Sequence, residues 1–210
     1  MYLKTKLNRF DGLSIVVLLL LIAIYAINYI DFSSHPFEDA AMVMRYAQHL
    51  AEGHGIVWNV GEKPVDGATD FIFMILSALF VKAGMPIESS VRLISFVSHI
   101  LTVIFVYVTI RKLRIGGKWL AFISAAYLAI GPGLRYVEFY FGVPLFALFV
   151  CITWWIANEL LKKTESHVTS LIFVLSCLIM GLIKECHILC HARKSGLKKH
   201  IQDFISGLAI

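Results

Sequence analysis

Apolar residues in this chain fall in long blocks. They run over 13–30, 71–81, 91–110, 119–134, 143–161 and 168–183, with charged residues gathered between the blocks. Five of the six are about 16–20 residues long, close to what a helix needs to cross roughly 30 Å of hydrocarbon. The pattern predicts an all-α, polytopic membrane protein with about five transmembrane helices. The sixth block, Phe71 to Val81, is too short to cross and suits an interfacial or re-entrant helix. Charge supports that reading. If 71–81 crossed, the connector carrying Arg111, Lys112, Arg114 and Lys118 would lie outside, against the preference for basic loops on the cytoplasmic side. If it lies along the interface, that connector is cytoplasmic, and so is the N-terminus with Lys4, Lys6 and Arg9.

The polar stretch between the first two spans, 31–90, is the first outer loop. Asp31 to Pro36 is a breaker and cap cluster, and Pro36, Glu38 and Asp39 suit a first helical turn. A helix over 36–52 is predicted. Phe37, Ala40, Ala41, Met44 and Ala51 lie on a membrane or core face, and Arg45, His49 and Glu52 on another. Gly53 and Gly55 end it, and Asn59, Gly61, Pro64 and Gly67 give turn signals. This helix and 71–81 are the two juxtamembrane helices of the loop.

Composition narrows the class. The chain has 210 residues, 59% of them hydrophobic, above the 45–50% or so of soluble domains. The net charge of +5 sits in span connectors and tails, which orients a membrane protein and does not form a nucleic-acid face. Of the four cysteines, Cys151 and Cys177 lie in apolar runs and Cys186 and Cys190 in the tail, so no disulfide framework is implied. The inner (plasma) membrane is the expected location.

Candidate chemistry concentrates in the outer loop. Glu38 and Asp39 at a helix start suit a general base or a ligand for a divalent cation, and equally suit plain charge placement at a helix N-terminus. Arg45 has the planar fork that grips a phosphate, or that meets lipid headgroups. Lys63 and His54 are weaker loop candidates for substrate binding. Glu138 sits among Tyr136, Phe139, Tyr140 and Phe141, where a carboxylate needs a partner, and the topology puts it on the same side as Asp39. Cys186-His187 and Cys190-His191 miss the haem spacing by one residue and lack a second zinc half-site. The spans carry few ionisable groups, Arg92 and His99 being the hints a transporter reading would use.

Taken in order, Glu38-Asp39, Arg45-Tyr46-Ala47, Gly53-His54-Gly55, Asn59-Val60-Gly61-Glu62 and Gly67-Ala68-Thr69 resemble the first outer loop of GT-C class membrane glycosyltransferases. The relevant branch is the polyprenyl-phosphate-sugar enzymes related to protein O-mannosyltransferases, aminoarabinose transferases and arabinofuranosyltransferases. The resemblance implies transfer of a sugar from a polyprenyl-phosphate donor to an acceptor hydroxyl. It implies Asp39 as base, Arg45 and Lys63 on the lipid phosphate, and Glu138 tuning Asp39 or helping to bind a divalent ion. It also implies that the helix after Thr69 lies beside the membrane. Two departures stand out. Members carry a glutamate before a Pro-Leu-Phe sequence where this chain has Gly142 ahead of Pro144-Leu145-Phe146, with Glu138 four residues earlier. Members also have ten or more spans.

Residues 1–185 are therefore expected to be a GT-C-like N-terminal module and 186–210 a basic tail. Lys184, Arg193, Lys194, Lys198 and Lys199 fit poorly with the outside position the topology gives the tail. That mismatch leads to the expectation of a truncated or frame-shifted product, with a partner chain as a source of the missing helices, or of an inactive remnant or membrane scaffold. The topology has a direct test. With the native cysteines replaced by serine, a cysteine at Gly117 should react only with reagent on the cytoplasmic side and one at Gly61 only from outside. The reverse labelling would overturn the assigned orientation.

Overall fold

The computed structural model describes residues 8–64, 70–113, 116–131, 133–162 and 167–183, and every regular element among them is an α-helix. The first, α1, spans Arg9–Tyr29. It starts on a reciprocal cap: the Asn8 side chain accepts from the Asp11 amide at 3.1 Å, and the Asp11 carboxylate accepts from the Asn8 amide at 2.9 Å. Only Asp11, Ser14, Leu18, Ile22 and Ala26, one helical stripe, are buried. Leu13, Val16, Leu20, Ile24 and Ile27 remain exposed on the other faces, which is what a helix bordered by hydrocarbon presents.

Helices α2 (Glu38–Ala51) and α3 (Phe71–Lys82) follow. Helix α2 buries Ala40, Val43, Met44, Tyr46 and Ala47. The expected face is thus rotated: Ala41 and Phe37 are exposed, because α3 packs along the Val43–Tyr46–Ala47 side. Helix α4 (Ile87–Leu113) is longer at both ends than the apolar run 91–110, since Glu88 at its start and Arg111 and Lys112 at its end remain helical. It packs against α1, α2 and α3 and against the later helices α5 (Lys118–Ala129), α6 (Gly133–Glu138) and α7 (Val143–Lys162). The last helix, α8 (His167–Ile183), packs on α7 and α3.

The third span was expected over 119–134, closed by Gly131-Pro132-Gly133, with 135–140 beyond it. It is instead interrupted after Ala129 and resumes as α6. The physical reason is Gly131 and the following proline: a Cβ at Gly131 would stand 2.6 Å from the Tyr127 carbonyl oxygen, and proline has no amide to continue the ladder.

Four helical stretches among the described residues are long and apolar enough to cross a membrane: 9–29, 87–113, 118–138 taken across its break, and 143–161. The chain is a multi-pass membrane protein by this measure. Helix α3, at 12 residues, extends about 18 Å, well short of the hydrocarbon thickness. Helix α8 has 17 residues, about 25 Å, and falls just below a full crossing where five spans were expected. Arg114, Gly67 to Thr69 and everything after Ile183, including Cys186 and Cys190, lie outside the described residues.

Contacts define two ends of the bundle. At one, Tyr107 donates to Asp11 Oδ1 at 2.8 Å, Arg111 Nε donates to the same oxygen at 2.5 Å, and Arg111 also reaches Oδ2 at 3.3 Å. Phe10 meets Trp119 edge-on nearby, with the Lys118 ammonium 4.6 Å from the Phe10 ring. At the other end the start of α4, the start of α7, the end of α8 and all of α2 and α3 share one core. A second core of α1, α4, α5 and α6 fills the rest of the bundle.

Asp11 is 1% exposed, so its removal leaves a guanidinium and a phenol without their acceptor inside the bundle. Asp11→Ala should destabilise the protein by about 3–5 kcal/mol. Thermal unfolding in detergent reads this, and a loss under 1 kcal/mol would mean the pair is not coupled to folding.

Candidate functional site

The end that carries α2 and α3 also carries every site residue expected from the sequence. Helix α2 begins after Phe37, whose ring lies 4.5 Å from Phe139 and 6.1 Å from Phe141. That stacking sets the start of α2 against the segment just after Glu138. Glu38 and Asp39 follow in the first turn, both exposed, where the free amides favour acids.

Residues spaced three and four apart from Glu38 form the floor of an open hollow of about 560 Å³. Its walls are Glu38, Ala41, Met42, Arg45, Tyr46 and Trp58. Asp39 is not among them, since one residue turns about 100° around a helix. The hollow therefore sets a carboxylate and a guanidinium at two ends of a small apolar floor.

Arg45 is partly spoken for. Its Nε donates to the Trp58 carbonyl at 2.8 Å, one terminal nitrogen donates to Asn59 Oδ1 at 2.9 Å, and its guanidinium sits 4.4 Å from the centre of the Trp58 ring. The arginine thus folds residues 53–64 back over α2, and its other terminal nitrogen makes no hydrogen bond to a described residue. Asn59 in turn donates to Glu62 at 2.9 Å, closing the turn the sequence signals at Asn59 to Glu62. His54 stands 3.7 Å from Glu52 and Lys63 is exposed, and neither lines the hollow.

Glu138 ends α6 and is 8% exposed. Among the described residues its Oε2 has no hydrogen-bond partner, Arg135 approaching only to 3.8 Å. Around it, the segment 31–34 is tied down. Ser34 donates to the Glu138 carbonyl at 3.3 Å, and Tyr140 donates to the Ser34 carbonyl at 3.0 Å. Tyr140 adopts a left-handed φ of 64°, costly for a bulky residue, and is held there by that bond and by Arg92, whose guanidinium lies 4.3 Å over its ring. Arg92 also donates to the carbonyls of Phe32 and Ser34. Burial raises the Tyr140 phenol above its ordinary pKa, so it is a neutral donor across the physiological range. The hydroxyl and amide of Ser33 hold the Asp31 carboxyl below its ordinary value, keeping it ionised.

Gly142, where the resembled family carries glutamate, touches the start of α3. A Cβ there would stand 2.9 Å from the Phe73 ring and 3.0 Å from Asp70 Oδ2. A larger residue does not fit without moving α3, and the carboxylate beside this position comes from Asp70. Asp70 and Trp58 were not among the residues singled out from the sequence, and Arg92 was singled out only as a transporter hint. Counting back from Arg45 by four and seven would have found Ala41 and Glu38 on one face, but no spacing rule predicts that Trp58 folds onto it.

Among the described residues no group of three or more His, Cys, Asp or Glu side chains could hold a metal ion. No family model matches the chain, and neither any curated protein nor any solved structure is significantly similar to it.

Arg45→Lys keeps the charge and loses the fork. Amide exchange over 56–62 should rise about fivefold, as expected for loss of about 1 kcal/mol of hydrogen bonding. Unchanged exchange would show that Arg45 does not hold this loop.

Proposed function

We propose that this protein is a membrane glycosyltransferase that moves a sugar from a polyprenyl-phosphate donor to an acceptor hydroxyl at the end of the bundle bearing α2 and α3. That end faces outward in the plasma membrane, with the N-terminus cytoplasmic. One observation carries the reading: Glu38 and Arg45 share an open hollow at one end of a membrane bundle, within the stretch whose ordered motifs resemble GT-C enzymes.

In the reaction the acceptor oxygen attacks the anomeric carbon and the bond from that carbon to the phosphate oxygen breaks. Polyprenyl phosphate departs with the bonding pair and needs no proton, so the protein has to orient two substrates and accept the hydroxyl proton. A carboxylate takes that proton. The sequence singles out Asp39, whereas the hollow favours Glu38, with Asp39 one step round the helix beside it. The free terminal nitrogen of Arg45 meets the lipid phosphate, and Trp58 and Tyr46 offer the flat apolar surface against which a sugar ring packs. Lys63, exposed on the loop that Arg45 holds, adds positive charge on the approach to the phosphate, and His54 stands on the same loop as a weaker polar candidate.

A second reading, an inactive membrane scaffold of the same fold, is favoured by the commitment of two Arg45 nitrogens to Trp58 and Asn59. The test is a sugar-transfer assay on the purified protein with a mixed pool of polyprenyl-phosphate sugars. Glu38→Gln should lower transfer by about 10²–10⁴-fold, the range of a lost general base, and Asp39→Asn by less. A larger loss in Asp39→Asn returns the base to Asp39. No transfer by the parent protein supports the scaffold.

A further inference from the structure

The break in the third span lies inside the membrane-crossing part of the bundle. Helix α5 contributes 12 residues, so the break stands about 18 Å from the Asp11 end. In hydrocarbon the carbonyls freed there need partners from neighbouring helices. The proline after Gly131 has no amide, and no backbone amide among the described residues bonds to the Ala129 carbonyl.

His99 faces the break from α4. It lies twelve residues before Arg111, at the same depth as the break, and is 6% exposed. A Cβ at Gly133 would stand 2.8 Å from both Cε1 and Nδ1 of this ring, so glycine at 133 makes the seat. Among the described residues Nε2 is buried without a partner, and Nδ1 is the ring nitrogen beside Gly133.

The same face of α4 grips the far side of α6. Ser95, one turn before His99, donates to the Phe141 carbonyl at 2.9 Å, and Arg92, one turn earlier again, covers Tyr140. Helix α6 is thus held before its first residue and just after its last by one polar stripe. Between the two grips lies Glu138, whose buried Oε2 has no hydrogen-bond partner among the described residues and only a 3.8 Å approach from Arg135.

We propose that His99 is a positioning residue: seated against Gly133, it latches the broken third span so that α6 keeps the Glu138 carboxyl buried at the α2–α3 end.

The full chain in detergent micelles, treated with dicyclohexylcarbodiimide and read by peptide mass spectrometry, provides the test. Asp11, buried at the opposite end of the bundle, is the internal control. In the parent protein both carboxyls should be protected. In His99→Leu, labelling of Glu138 should rise about tenfold while Asp11 stays protected, as expected when the seat against Gly133 is lost. His99→Asn, which keeps a planar polar side chain in the seat, should restore protection. Gly133→Ala, which displaces the ring with His99 intact, should release Glu138 alone. Glu138 remaining protected in His99→Leu overturns the proposal. If Asp11 and Glu138 become reactive together in His99→Leu, Gly133→Ala decides: joint reactivity or none overturns it.

Discussion

Two arginines strap α1 to α4, and the rest of the bundle is arranged around that pairing. Arg111 grips Asp11 at the start of α1, and Arg92 grips the carbonyls of Phe32 and Ser34 just beyond its end. The two are nineteen residues apart on one helix, about 28 Å, close to the thickness of the hydrocarbon layer. Charged groups are tolerable in such a chain at its two rims, and both rims here are used as fasteners. Between them the contact of α1 with its neighbours is apolar, from Leu18 to Ala26. The clamp at the Arg92 rim also reaches Tyr140, so the segments after α1 and after α6 converge on one point, and α2 starts from there.

Most of the helical layout could be read from the residues alone, because length and apolarity decide whether a segment crosses a membrane. Helices α1, α4 and α7 fall where the apolar blocks fall. What the blocks could not give is the helical course of charged ends. Glu88 and Arg111 break an apolar run without breaking a helix, since a long side chain can reach the rim while its backbone stays in register. The glycine–proline–glycine signal at 131–133 was visible as an end of a span, but the five further helical residues after it, 134–138, were not. They pack against α4, a contact between distant segments that their own sequence does not announce.

The candidate site was legible to the resolution of one helical turn. Acid and arginine on α2 were recognisable as a pair of interest, yet whether Glu38 or Asp39 faces the hollow depends on how α2 rotates against α3, which burial of Val43 and Tyr46 decides. Trp58 could not be assigned because the loop returns to α2 through its own carbonyl, a backbone contact that leaves no trace in residue type. Asp70 and Gly142 were missed as a pair for a related reason: their closeness is a packing fact between segments seventy residues apart.

The interrupted third span bears on how the protein is built at the ribosome. A twelve-residue apolar helix is too short to cross the hydrocarbon by itself, and it packs along the preceding, longer helix. Paired as a hairpin, α4 and α5 give the translocation channel one long apolar arm to accompany a short one. The connector that carries Glu138 and Tyr140 is then fastened from two sides, by α4 and by the segment that follows α1.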